Sequence, residues 1–576
     1  MPVRAPLATA GRTLRFHCMA NLRRLAAALL VAAPLGAQWD IRYPDQQTRT
    51  YAEALARYQT CLSRSAFTWH FEAREVLGNT RTPEALTLLT ADYKTVKEDA
   101  EYIRYLIADC FARFFSKGEF LPAMLTLREA NKGPGDVWLW YQTMLLQADR
   151  GGEAEVTAIA QGDKNPLLRA AAIAALGDSS GGAIQAAIVA NCVSFPKKES
   201  ERMAVLGAMS GALLANKERI NAEDYRGALT AYIGLLGDEV KLSHIGKVQM
   251  ARHLQIILKA PAPFVDPQSW LDILARGELK TSSKQTTTAS PRFFGLETDG
   301  ERMVYVVDMS DSMLLPIEES AKPPGVPTTG PKEKKKKKKG VLLDESDLPW
   351  SEIVTRWDLA RENLRISLSR LTPDKEFCVV WFGKEAGTLD ACKGLIKATR
   401  ANIDRVMAEM DGIKADFTEE EPGKPVPKTG RLRGDTNLHG GLRLAFALHS
   451  KGFAGANAYV DPQALAEGCD TILLLSDGDP SVDDFLERDK NYGERKTIKS
   501  FERGEEGTQT PEVWSSGPFV SGGLAQCPYI VGDVRRMNTF RRVRMHCVGL
   551  GEANMTLTKL LAELCQGESM QVGKKL

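Results

Sequence analysis

Apolar residues recur three and four apart through most of the first half of the chain, the spacing that gathers them on one side of a helix. EYIRYLIADCFARFF (101–115) and ERMAVLGAMSGALLANK (201–217) carry this period clearly. Between them, DKNPLLRAAAIAALGD (163–178) sets Pro166 near a helix start and Gly177 at its end. KVQMARHLQIILKAP (247–261) repeats the pattern. An all-α segment is therefore predicted over 42–278. The polar stretch TSSKQTTTAS (281–290) breaks the period and marks a linker across 279–292.

Beyond the linker the pattern changes class. RMVYVVD (302–308), EFCVVWFG (376–383), DTILLLSDG (470–478) and RRVRMHCVGLG (541–551) contain near-continuous apolar runs. Helical patterns at 352–371, 398–412, 438–450 and 556–564 separate them. Strands of this kind alternating with helices predict a parallel sheet covered on both faces. Two insertions interrupt the rhythm. The first, 316–349, contains AKPPGVPTTGPKEKKKKKKG, a composition that cannot bury a core and predicts disorder. The second, 481–529, is rich in charge, Gly and Ser and carries no readable period.

Length and composition add bounds. A chain of 576 residues exceeds one core and suggests two to four units at roughly 150 residues each. With 43% hydrophobic and 26% charged residues it reads as ordinary globular protein. The net charge of +2 misleads, because the first 37 residues hold five arginines and no acid. The remainder has 70 basic against 73 acidic residues, so no general pull towards nucleic acid is expected. A lysine run without interleaved aromatics is a solvated loop rather than a nucleic-acid site.

From Met19 the chain reads MANLRRLAAALLVAAPLGAQ, with basic Arg23 and Arg24, an apolar run from Leu25 to Ala33 and small residues ending at Ala37. That order is the grammar of a secretory signal over 1–37, with Met19 a candidate start, and predicts a periplasmic, cell-surface or secreted protein. Gln38 stands where lipid attachment would need Cys. No stretch reaches the ~20 apolar residues of a membrane span. Of ten cysteines, nine follow the signal, with no CxxC pair and no metal-ligand spacing. Cys110, Cys192, Cys378 and Cys547 sit in apolar patterns and read as core residues.

The candidate chemistry gathers at strand ends, where ligands of open α/β sheets bind. Asp308 ends the first strand, and Ser310 and Ser312 follow at alternate positions. Thr436 lies in GDTNLHGG, just before a helix, and Asp477 ends TILLLS. This combination resembles the von Willebrand factor A (vWA) family and its metal-ion-dependent adhesion site, over 293–576. WDLARENLRISLSRL is similar to that family's first helix. The resemblance implies a Rossmann-like vWA fold and a divalent cation, Mg²⁺ or else Mn²⁺ or Ca²⁺. Ser310, Ser312 and Thr436 would contact the ion, with Asp308 and Asp477 acting partly through water. The open position would take an Asp or Glu carboxylate of a protein partner, so adhesion rather than catalysis is expected. The 163–178 segment, with its Asp-x-x-Pro-x-x-Arg opening, resembles a HEAT-type repeat helix. It implies an α-solenoid, whose long surface suits a second partner, with a TPR-like or irregular helical bundle as the alternative.

Two departures from the vWA pattern stand out. Asp311 occupies a position that is usually Gly, and some forty residues separate the first loop from the first helix. Two other functions compete with adhesion. The same domain type also serves as an accessory of chelatases or ATPases. A phosphatase-like hydrolase would need a second Asp where Ser310 stands, and serine hydrolysis needs a base. No Gly-x-Ser-x-Gly surrounds Ser310, and the nearest histidine, His439, is expected to pack or cap its helix. HExxH and P-loop patterns are absent from the sequence.

Overall fold

The computed structural model describes residues 48–573 except 97–100, 180–182, 238–239, 241, 277–290, 323–341, 415–430, 456, 490–516 and 521–525. The expected signal, most of the linker and the lysine run lie outside the described residues. Up to Arg276 the described chain is helix after helix, and the four helices read from the sequence are Glu101–Phe114, Pro166–Asp178, Glu199–Ala215 and His244–Leu258. Their starts follow local chemistry. Asn165 caps Pro166–Asp178, its side chain accepting from Leu167 N at 3.0 Å, and Pro166 between them has no N–H that needs an acceptor. Ser243 caps His244–Leu258 through Gly246 N at 3.2 Å. Gly177 lets Pro166–Asp178 press on Glu199–Ala215, since a Cβ there would lie 2.4 Å from Ala212 Cα.

After a short hairpin of β1 (Arg292–Phe293) and β2 (Leu296–Glu297), the chain builds a mixed, mostly parallel sheet. Its strands are β3 (Arg302–Asp308), β4 (Glu376–Phe382), β5 (Ala386–Thr388), β6 (Ile396–Lys397), β9 (Thr471–Ser476), β10 (Arg544–Leu550) and β11 (Ser569–Val572). A separate hairpin joins β7 (Leu448–His449) to β8 (Gly452–Phe453). The order is β11-β10-β9-β3-β4-β5, with β6 also pairing with β4. β3 runs parallel to both β4 and β9, and β10 to both β9 and β11. The expected all-parallel sheet is thus corrected at one edge, where β5 and β6 are antiparallel to β4. Only three residues join β4 to β5, and so short a connection can make only an antiparallel pair.

Helices cover both faces of β3. Successive strand side chains point to opposite faces. The Tyr305 hydroxyl meets Ser367 Oγ at 2.7 Å, on helix Arg356–Ser369. Val306 faces helix Leu438–Ala447, where Gly441 permits close approach: its Cβ would lie 3.2 Å from Val306 Cγ1 and 2.9 Å from Phe382 Cδ1. The first insertion is structured at its base. Ile317 N donates to Val354 O at 3.1 Å and Arg356 N to Leu315 O at 3.0 Å, so the expected disorder does not extend to its described flanks.

The helical and α/β parts belong to one compact unit. Arg252 of helix His244–Leu258 pairs with Asp470 at 3.0 Å, just before β9. Trp138 N donates to Tyr459 Oη at 3.2 Å, and Gln249 Nε2 to Arg541 O at 2.8 Å. Among the described residues no helix is long and apolar enough to cross a membrane. Eight of the nine described cysteines are buried, Cys192 being half-buried.

Candidate functional site

The strand order reverses direction between β3 and β9, and in open α/β sheets that is where a crevice forms beyond the carboxyl ends. Asp308 ends β3 there, and Asp477 directly follows β9. Both are fully or almost fully buried. A chain of hydroxyls joins them. Ser310 donates to Asp308 Oδ1 through its backbone N (2.9 Å) and its Oγ (2.6 Å). Ser310 Oγ and Ser312 Oγ are 2.9 Å apart, and Ser312 Oγ donates to Asp477 Oδ1 at 2.7 Å. Ser310 opens a short 3₁₀ turn, Asp311–Leu314, and that turn sets the Ser312 hydroxyl beside the Ser310 hydroxyl, which gives this chain its continuity.

Thr436 arrives on a third loop. Asp311 N donates to Gly434 O at 3.2 Å and Arg433 N to Met309 O at 3.3 Å, which fastens 433–436 against the Ser310 turn. Thr436 N donates to Ser481 Oγ at 2.8 Å, and Ser481 N to Thr436 O at 3.0 Å, which fastens it to the loop after Asp477. Asn437 then caps the following helix by accepting from Gly440 N at 2.8 Å. The five residues singled out by sequence therefore lie on three loops that are hydrogen-bonded to one another. Thr436 is buried but does not join the carboxylate–hydroxyl chain directly. Asp311 is exposed on the rim.

The electrostatics are unusual. Burial raises the Asp308 pKa to about 7, the nearby charge of Asp477 adds to this, and hydrogen bonds from Ser310 and Ser476 act against it. Asp477 has a counter-charge on its far side, where Arg356 Nη1 donates to Oδ2 at 2.8 Å. Arg356 Nη2 reaches on to Glu318 Oε1 at 2.6 Å. Four participants were not legible as site residues: Ser476, which donates to Asp308 Oδ2 at 3.0 Å, Ser481, Arg356 and Glu318.

Among the described residues no three His, Cys, Asp or Glu side chains cluster as metal ligands. This edge instead combines two carboxylates with neutral hydroxyls. His439 lies elsewhere in the network. Fully buried, it meets Asp533 Oδ2 through Nε2 at 2.9 Å and stacks on Phe519 with ring centroids 3.7 Å apart. Among the described residues no hydrogen bond joins its ring to Ser310.

No protein-family profile matches the chain. No curated protein matches it either. Among solved structures, a minor pilin, PilB from Streptococcus sanguinis, aligns over 48% of this chain at 14% identity and a TM-score of 0.25. The alignment spans 57% of the pilin, and a superposition this loose carries no inference about fold or function.

Proposed function

We propose that the carboxyl edge of β3 and β9 binds a divalent cation in a vWA-type adhesion site, and that the ion's open position takes an Asp or Glu carboxylate of a partner protein. The observation behind this reading is the pair of buried carboxylates, Asp308 and Asp477, joined through Ser310 and Ser312 with a counter-charge on the outer side of Asp477 alone. A cation between them supplies the missing charge. Mg²⁺ takes six hard oxygen ligands and retains water, and Mn²⁺ and Ca²⁺ also accept oxygen donors. Ser310, Ser312 and Thr436 would hold it with neutral oxygens, and Asp308 and Asp477 would balance its charge. The bound ion would supply residual positive charge to a carboxylate arriving from outside.

The doubly wound strand order and helices on both faces support the vWA assignment of 293–576. In this reading the helical segment, with its HEAT-like helix, offers a second partner surface, and the signal over 1–37 directs export. The test is capture from a cell-envelope extract in Mg²⁺ or in EDTA, using the wild type and Asp308→Ala. Partners held by wild type in Mg²⁺ and lost in the other three conditions support the reading. An identical captured set in all four contradicts it.

A further inference from the structure

The amino-terminal edge of the sheet, opposite to Asp308 and Asp477, holds a second polar cluster. A cavity of about 20 Å³ lies there, and Arg252, His253, Asp470, Arg542 and Arg544 contribute to its lining. Three guanidinium groups meet two carboxylates. Arg252 takes Asp470 at 3.0 Å and Asp299 at 3.2 Å, and Arg544 shares Asp299 at 3.3 Å. Asp470 also accepts from the backbone N–H of Glu301 (3.1 Å) and of Arg302 (2.8 Å), which leaves it little capacity for another cation.

Arg542 has no carboxylate of its own. Its Nε donates to Gly207 O at 3.1 Å. Asp178, which acts on it only through space, is held by the Tyr141 hydroxyl at 2.7 Å and by Arg535 at 3.9 Å. His253 is 7% exposed, and its Nδ1 has no hydrogen-bond partner. Burial, and then the charges of Arg542, Arg544 and Arg252, push its pKa down to about 3, so the ring is neutral and keeps one N–H to donate. His546, on β10 and 3% exposed, has both ring nitrogens unpartnered and feels Arg544 and Arg252 as well. Buried charges and polar groups are ordinarily paired. Here three guanidinium groups meet two carboxylates, and the unpartnered ring nitrogens of His253 and His546 donate or accept according to tautomer.

We propose that this cavity binds one small monovalent anion of the halide class, held by the Arg542 and Arg544 guanidinium groups with neutral His253 beside it. The volume favours the class. A water needs about 10–15 Å³, so ~20 Å³ admits a single monatomic anion more readily than a tetrahedral oxyanion. The anion balances the unpaired guanidinium and ties the helical segment to β10.

The test is a ³⁵Cl NMR linewidth titration of the full chain, with gluconate holding ionic strength constant. Saturable broadening that bromide displaces is expected. Arg542→Met weakens the binding by about tenfold or more, the loss of one charged hydrogen-bond contact. Arg544→Gln serves as the second variant if the first does not fold, with circular dichroism reporting the fold. A bromide-soaked crystal gives an anomalous peak within hydrogen-bond distance of Arg542. Absence of saturable broadening, unchanged binding in both folded variants, or a cavity holding water alone overturns the proposal.

Discussion

Asp308 is a carboxylate surrounded by hydroxyls and facing a second carboxylate, and its neighbour Asp477 leans on Arg356. Removing that arginine separates two effects. Arg356→Met leaves Asp477 and Glu318 without their buried cation, which costs about 3 kcal/mol or more of stability. It also takes a positive charge away from the proposed cation site. The expected outcome is a lower melting temperature without divalent ion and a larger upward shift on adding Mg²⁺ than in the wild type. Thermal melts with and without the ion decide this, and an equal or smaller shift counts against the site. The two carboxylates and two serines were legible because they follow apolar strands at alternate positions. Arg356 and Glu318 were not, because only folding brings them to Asp477.

His546 makes a prediction of the same scale. Burial holds its folded pKa near 4, against an ordinary value of 6.5. The unfolded chain therefore takes up a proton first as the pH falls, and stability is lost between about 6.5 and 4. The stability at issue is at most about 3 kcal/mol, from the size of the shift. His546→Leu removes an imidazole with no hydrogen bond and is expected to flatten this part of the stability–pH curve. Urea denaturation at pH 7 and at pH 5 measures it. An unchanged difference between the two pH values contradicts the assignment.

At the scale of elements, helix Phe67–Gly78 lacks a side-chain cap of its own, because Ala66 precedes it. Asp489, more than four hundred residues away and fully buried, supplies one. It accepts from Phe67 N, from Thr68 N at 3.1 Å and from Thr68 Oγ1 at 2.5 Å. A carboxylate on the free N–H groups of a helix start satisfies them and favours the dipole. Asp489→Ala is expected to lower unfolding stability by about 1–3 kcal/mol through the loss of these hydrogen bonds, with divalent-ion affinity unchanged. Chemical denaturation and an ion titration on the same variant check both halves. The sequence could not announce this contact, because Asp489 sits near the start of a stretch with no readable period.

The same contrast explains which elements were legible. β3, β4, β9 and β10 are buried on both faces, so their apolar runs are nearly unbroken and their bounds were read to within a few residues. β5, β6 and β11, read as AGT, IK and SMQV, are short and partly exposed, and carry no such run. Helix Pro528–Asn538 begins at the very end of a charged, Gly- and Ser-rich stretch and was missed with it.

For the whole molecule, the described chain is helical up to Arg276 and strands begin at Arg292, on either side of the change of period near residue 290. That change did not reveal how closely the two parts join. Arg252 with Asp470, Asp489 with Thr68, and Arg542 with Gly207 each link residues more than two hundred positions apart. Pairings of that kind leave no local pattern. The joined body presents the β3–β9 edge with its three loops braced on one another, and the account rests on a cation binding there. Isothermal calorimetry of the full chain with Mn²⁺ or Mg²⁺ tests this most directly, with Ser312→Ala as the comparison. One site per chain in the wild type, weakened about tenfold or more when the Ser312 hydroxyl is removed, is the result predicted. No saturable heat in the wild type, or the same affinity in Ser312→Ala, would contradict it.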